Sequence, residues 1–303
     1  MATQNQDRLR THFASLETTP TAQGSGWDTL WESASFLPWD RGYANPALID
    51  LLSSSFASQP SAPPTSSAPN PTPGAPSADA QPAVIELPRA VEGGKRKKVL
   101  VPGCGKGYDV ALFSAYGYDA YGLEVSQHAA KAADEYLRNA GSGSLENEYE
   151  GKDGGKGKGK AVCLVGDFFD DAWVKQTGEG GFDVIYDNTF LCALPPSLRP
   201  QWARRISALL APNGRLICLE FPTHKPASSG GPPWSLPPTV HLELLKQPGE
   251  EISYNEAGVV VATDRGVGEG ALERVAHYVP ARTHDVAVIK GVVRDCVSVW
   301  RHV

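Results

Sequence analysis

Lys98-Val99-Leu100-Val101-Pro102-Gly103-Cys104-Gly105-Lys106-Gly107-Tyr108-Asp109 is the stretch on which the reading of this chain turns. The apolar run Val99 to Val101 predicts a short buried strand, and Val110 to Tyr116 predicts a helix after it. Between them glycine recurs at every second position, which lets the backbone turn sharply and lets a ligand approach the main chain. The spacing is G-x-G-x-G, not the G-x-G-x-x-G of dinucleotide binders, and the G-K-[ST] ending of a P-loop is absent. Behind it, Tyr121-Gly122-Leu123-Glu124-Val125-Ser126 predicts a second strand that ends in an acid. Glu124 stands where a carboxylate accepts both ribose hydroxyls of a nucleoside lying over the glycine turn. Strand, glycine turn, helix, strand and terminal acid together predict a nucleoside cofactor; a purely structural turn is the plainer alternative.

Moving outward, five further segments complete an alternating pattern. Gln127 to Ala140 predicts a helix capped by Ser126, with Ala129, Ala130, Ala133 and Leu137 on one face. Ala161 to Val165 predicts a strand ending at Gly166-Asp167-Phe168-Phe169, and Gly181 to Asn188 another, apolar and then abruptly acidic at Asp187-Asn188. Arg199 to Leu210 predicts an amphipathic helix stopped by Pro212-Asn213-Gly214, and Arg215 to Glu220 a strand. Leu272 to Tyr278 and Cys296 to Trp300 alternate well enough to predict a terminal antiparallel pair. Strands alternating with helices predict an α/β fold, a doubly wound and mostly parallel Rossmann-like sheet. In such sheets the ligand lies at the carboxyl ends of the strands, where Gly103 to Asp109, Glu124, Asp167 and Asp187-Asn188 converge.

Upstream, Asp7 to Leu16 is weakly helical, and Trp27, Trp31 and Trp39 form an unusual cluster within a predicted N-terminal lid over residues 1–52. Trp27 and Trp31 are four apart, on one helical face. The plain reading is core anchoring; the sharper one is a cage of indole faces around a cation. Asn45-Pro46 opens a further helix, with Asn as cap and Pro at the first position. From residue 53 the composition turns to Pro, Ser, Ala and Thr, which predicts a disordered insertion over 53–96 closed by the basic run Lys95 to Lys98. Residues 141–160 are rich in Gly and Lys and predict a loop inserted in a catalytic domain spanning 97–303.

Composition excludes several classes. At 303 residues, with 41% apolar and 20% charged residues, the chain is of ordinary globular make-up. A net charge of −6 gives no global basic field, so nucleic acid is not an expected partner. No apolar run is long enough to span a bilayer, and Met1 to Asp7 has no signal-like apolar segment. The five cysteines are scattered and never form C-x-x-C, which argues against a disulfide framework or a zinc site. A cytoplasmic monomer acting on a small molecule is expected, with nuclear entry left open by the basic run.

Taken together, these residues resemble class I S-adenosylmethionine-dependent methyltransferases, in the branch of thiopurine S-methyltransferases and the plant and fungal halide/thiol methyltransferases. The resemblance rests on Trp27-x-x-x-Trp31, Pro38-Trp39-Asp40-Arg41-Gly42, Val101 to Asp109, Gly122-Leu123-Glu124, Gly166-Asp167-Phe168-Phe169, Phe182 to Asp187, Phe190 to Leu194 and Gly230-Gly231-Pro232-Pro233. It implies S-adenosylmethionine as cofactor, with Trp27, Trp31, Trp39, Gly103, Cys104, Gly105, Gly107, Asp109, Glu124, Val125, Asp167, Phe168, Asp187 and Asn188 around it. Glu124 would hold the ribose, Asp167 the adenine amino group, and the tryptophans the sulfonium. The implied reaction is methyl transfer to a small thiol, sulfide or halide. Trp234 stands where the plant enzymes carry a tyrosine, so it and Asp40 are the candidate substrate contacts. Asp40, Asp187 or His224 can serve as a base, and the sequence does not choose among them; no metal is expected. The rival readings are a non-catalytic S-adenosylmethionine-binding protein and an NAD(P)-dependent oxidoreductase, the latter disfavoured by the glycine spacing.

Overall fold

The computed structural model describes residues 2–57, 85–139 and 157–303. Three helices come first: α1 (Ala2–Ala14), α2 (Pro20–Ser33) and α3 (Pro46–Ala57). Asn45 caps α3 as its sequence predicts, its Oδ1 accepting from Ala47 N at 2.9 Å. A small hairpin, β1 (Val91–Glu92) and β2 (Lys95–Arg96), leads into β3 (Lys98–Pro102), α4 (Tyr108–Ala115), β4 (Asp119–Glu124) and α5 (Gln127–Asn139). Then follow β5 (Ala161–Val165), β6 (Phe182–Asn188), α6 (Arg199–Leu209), β7 (Leu210–Glu220) and α7 (Pro238–Lys246). The chain closes with β8 (Leu272–Tyr278), a hairpin of β9 (Val288–Ile289) and β10 (Val292–Val293), and β11 (Cys296–His302).

Among the described residues, seven strands form one sheet in the order β5-β4-β3-β6-β7-β11-β8. The pairs from β5 to β7 are parallel, and β11 runs antiparallel to both β7 and β8. The chain steps outward from β3 to β4 and β5, then returns to β6 on the other side of β3. That reversal opens a crevice at the carboxyl ends of β3 and β6. The alternation of side chains sends Leu100, Ile185, Leu216 and Cys218 to one face, under Trp202 of α6 and Leu244 of α7. Val99, Val101, Val184 and Ile217 line the other, against Leu48 and Leu52 of α3 and Phe113 of α4. A third, smaller cluster of Leu9, Phe13, Leu30 and Phe36 joins α1 to α2 beside Trp27 and Trp39.

Several expectations move. α3 continues to Ala57, five residues into the segment expected to be disordered, because Ser53 Oγ bonds Tyr116 OH (2.7 Å) and Ser55 Oγ donates to Ile85 O (3.0 Å). At the far side of that segment Leu87 and Ala90 are buried and β1 pairs with β2, so 85–96 belongs to the folded domain. The rest of the segment, 58–84, lies outside the described residues, as does 141–156 of the expected Gly/Lys loop. The basic run is pinned to the domain: Lys97 pairs with Glu92 (3.0 Å) and Asp183 (3.2 Å), and Lys98 Nζ donates to the carbonyls of Thr177, Glu179 and Gly180. Pro212-Asn213-Gly214 does not separate α6 from the next strand. The register jumps from Phe182/Leu210 to Val184/Arg215, and these residues bulge out of a β7 that has already begun.

Candidate active site

A cavity of about 470 Å3 opens at the carboxyl ends of β3 to β6 and is roofed by α1, α2 and the segment through Arg41. Trp27, Trp31, Trp39, Gly103, Gly105, Glu124, Val125, Asp167 and Phe168 all line it. A smaller recess of about 90 Å3 shares Trp31, Trp39, Gly103 and Gly105 and adds Asp40, Cys104, Asp109 and Asn188. Gly107, Asp187, His224 and Trp234 lie outside both.

The glycine turn owes its shape to backbone conformation. Gly103 (φ 59°) and Gly105 (φ 54°) sit in the left-handed region. A Cβ on Gly103 would stand 2.5 Å from the Phe190 ring, so a side chain there would collide with the cavity wall. The turn is stitched to the next strand: Gly103 N donates to Leu123 O (2.8 Å), and Gly105 N donates to Glu124 Oε1 (2.9 Å). Glu124 is only 7% exposed. Burial pushes its carboxyl up to about 7, against the pull of the Gly105, Ser126 and Val125 amides. It is a buried acid with amide donors, which suits it to accept hydroxyl hydrogen bonds from a ligand in the cavity. Asp167, at the end of β5, spends Oδ1 on Phe169 N (2.9 Å). Thr189, just past β6, adopts φ 64° at the border of cavity and recess. A β-branched residue rarely holds that conformation, and such strain concentrates at functional sites.

Trp27 and Trp31 share one face of α2, and Trp39 packs edge-on against both, with centroids 5.0 and 5.9 Å away. Trp31 is buried; the other two are half-buried. The lid is latched to α5, since Asp28 Oδ1 accepts from Ser126 Oγ (2.6 Å) and lies 3.0 Å from His128 Nδ1.

The three candidate bases fare poorly. Asp40 is occupied by Lys106 Nζ (2.6 Å), Tyr108 OH (2.8 Å) and Gly42 N (3.1 Å). Burial works to raise its carboxyl, but Lys106 and Tyr108 hold it below the ordinary carboxylate value. Asp187 is buried and accepts from Phe190 N, Leu191 N and Trp202 Nε1, so it fastens β6 to the following turn and to α6. His224 is exposed, and partial burial with Arg294 nearby lowers its imidazole. Trp234 packs its ring over Gly231, where a Cβ would come within 2.4 Å, while Pro232 and Pro233 reach the cavity in its place. Asp109 splits its carboxylate between Asn45 N (3.2 Å) and Asn188 Nδ2 (3.0 Å) and is raised by burial to about 6. Wall residues without a sequence signal of their own include Gln23, Arg41 and Phe190. Arg41 and Phe190 stood inside the quoted Pro38-to-Gly42 and Phe190-to-Leu194 segments, but Gln23 reaches the wall only through packing.

A glycine turn after the first parallel strand, a buried acid ending the second, and an aromatic roof define a class I methyltransferase architecture. Comparison with known proteins narrows this. The family described as Thiopurine S-methyltransferase matches residues 77–284. "Thiocyanate methyltransferase 1" of Brassica oleracea is 29% identical over 81% of this chain and 83% of its own length. "Probable thiol methyltransferase 2" of Arabidopsis thaliana is 30% identical over 80% of this chain and 81% of its own. A solved structure concerned with converting a disulfide bond into a thioacetal group during echinomycin biosynthesis shares the fold, with a TM-score of 0.51 at 15% identity over 92% of this chain and 91% of that one. The chain belongs to the thiopurine S-methyltransferase family, and S-adenosylmethionine is its cofactor.

Proposed function

We propose that this chain transfers the methyl group of S-adenosylmethionine to a small thiol, sulfide or halide that enters the cavity as an anion. One observation carries the reading: a single cavity is floored by the glycine turn and Glu124 and roofed by Trp27, Trp31 and Trp39. In it Glu124 would hold the ribose, Asp167 the adenine amino group, and Gly103 and Gly105 the methionine portion, leaving the indoles to face the sulfonium. When bound, the cofactor supplies an electrophilic methyl group on positively charged sulfur. The chain's own task is to align the acceptor behind that carbon and strip its water. Phe168, Phe190 and Trp39 give the wall an apolar character that favours desolvation of the acceptor. The engaged carboxylates of Asp40 and Asp187 favour an acceptor that arrives already ionised over one deprotonated in place. Action as a monomer in the cytoplasm completes the proposal.

The test is incubation with isotopically labelled S-adenosylmethionine and a panel of thiols, sulfide, iodide, thiocyanate and thiopurines, read by mass spectrometry. Transfer to thiols that rises with pH up to the thiol's own pKa, or transfer to iodide or thiocyanate, supports the reading. Cofactor binding without transfer to any member of the panel would sink it.

A further inference from the structure

Glu220 ends β7, and the antiparallel register seats Cys296 of β11 directly opposite it. His277 of β8 stands opposite Ser298, two residues along β11 from Cys296. Cross-strand partners share a face, and so do alternate residues, so Glu220, Cys296 and His277 project together on the side covered by α7. The helix brings His241 over the same spot. Donor atoms of Glu220, His277 and Cys296 lie within 4.8 Å of one another. His277 Nε2 is 3.2 Å from Glu220 Oε2, and His241 Nδ1 is 3.7 Å from Glu220 Oε1. Glu220 is 0% exposed and His241 1%. Yet Glu220 Oε1 and His241 Nδ1 each lack a hydrogen-bond partner. An ion pair with His277 accounts for one carboxylate oxygen and leaves these two buried atoms facing each other, an arrangement that is costly unless something lies between them.

We propose that Glu220, His277 and Cys296 form a site for one borderline divalent cation of the zinc type, with His241 beside it. Thiolate, imidazole and carboxylate are donors such an ion takes. The 3.2 Å between His277 Nε2 and Glu220 Oε2 is close to the edge of a tetrahedron, about 3.3 Å for Zn–N and Zn–O bonds of about 2.0 Å. Charge balances as well, because one carboxylate and one thiolate neutralise a doubly positive ion in a buried place. On binding, the Cys296 thiol proton and the proton shared between His277 and Glu220 pass to solvent. His277 is exposed and Cys296 partly buried, which leaves the ion a way in. Three protein ligands leave the fourth position to water, and the ion ties β8 and β11 to the end of β7. The next residue, Phe221, lines the large cavity, so the tie also fixes one wall of it.

The test uses the full chain, stripped of metal and titrated with Co(II) under absorption spectroscopy. One equivalent should produce a thiolate-to-cobalt charge-transfer band with the intense visible bands of tetrahedral cobalt, and Zn(II) should displace it. Cys296→Ser should abolish the charge-transfer band, His277→Phe and Glu220→Gln should each weaken binding about tenfold or more, and Cys163→Ser should leave the spectrum intact. Absence of any tetrahedral spectrum in the parent chain overturns the proposal even if a variant fails to fold. A band that survives Cys296→Ser and disappears in Cys163→Ser also overturns it, by assigning the metal to the Cys104 and Cys163 thiols, whose sulfurs lie 3.6 Å apart.

Discussion

Glu124 and Glu220 end two strands of one sheet, at the same edge, and are buried to nearly the same degree. Their surroundings differ in charge. Glu124 has backbone amides around it, and burial takes its carboxyl up to about 7. For Glu220, burial also works upward, but His241, His277 and the Ser298 hydroxyl hold it below the ordinary carboxylate value. A buried acid matched by nearby imidazoles is a structural fixture of the fold. One left with amides alone is destabilised, which agrees with the proposal that the cofactor's hydroxyls meet it.

The contrast can be broken in order of expected effect. Glu220→Ala removes one partner of a buried pair and should cost about 3–5 kcal/mol in denaturant unfolding of the metal-free chain. A cost below about 1 kcal/mol would show that His277 needs no counter-charge. Glu124→Ala should weaken S-adenosylmethionine by about 1.5–3 kcal/mol in calorimetry, through loss of charge-assisted hydrogen bonds. The matching gain appears without ligand. Because Glu124 titrates higher in the folded chain than the ordinary 4.5, its contribution to stability is full below about 4.5 and is lost as pH rises through about 7. Glu124→Gln should therefore stabilise the free protein by about 1–3 kcal/mol at pH 8 and not at pH 4. Cofactor affinity should rise with pH through about 7 in the parent and stay flat in Glu124→Gln; parallel profiles would remove Glu124 from the ribose site.

The lid offers a subtler break. If Trp27, Trp31 and Trp39 face the sulfonium, each Trp→Ala should lower affinity for S-adenosylmethionine more than for its neutral demethylated product, by about 0.5–2 kcal/mol per facing ring. Packing alone costs about 3–5 kcal/mol of stability and shifts both ligands equally. Smallest of all should be replacement of residues 58–84 by a short Gly/Ser linker. Ser55 bonding Ile85 O at 3.0 Å shows that the flanks already meet, and loop length adds little closure cost. A fall in turnover beyond twofold would give that segment a part in the site.

The sequence announced the sheet, because Val99 to Asp109 and Tyr121 to Ser126 carry local signals of strand, turn and cap. It announced Glu124, since the acid follows its strand by register. It put Asp187 and Trp234 in the site, whereas both lie outside the cavity and its recess, because a terminal acid or an aromatic looks alike whether it faces a ligand or a neighbouring turn. Trp202 Nε1, which claims Asp187 at 2.9 Å, arrives from 15 residues away on another element. The Glu220, His241, His277 and Cys296 cluster had no linear signature at all. Its members come from three strands and a helix, and only the register sets them side by side.

Gly159 sits in a Gly-Lys alternation that reads as filler, yet its backbone is clasped on both sides. Its N–H donates to Ser114 O at 2.9 Å, and Ser114 Oγ donates to its carbonyl at 2.7 Å. A Cβ at this position would lie 1.8 Å from Tyr118 O, so only glycine fits the seat two residues before β5. The surrounding sequence, Gly157-Lys158-Gly159-Lys160, repeats every second residue. Deleting Lys160 alone would slide a lysine into the seat, whereas deleting the Gly159-Lys160 pair would return a glycine to it. The repeat thus has a parity: here the chain tolerates length changes in steps of two and rejects steps of one.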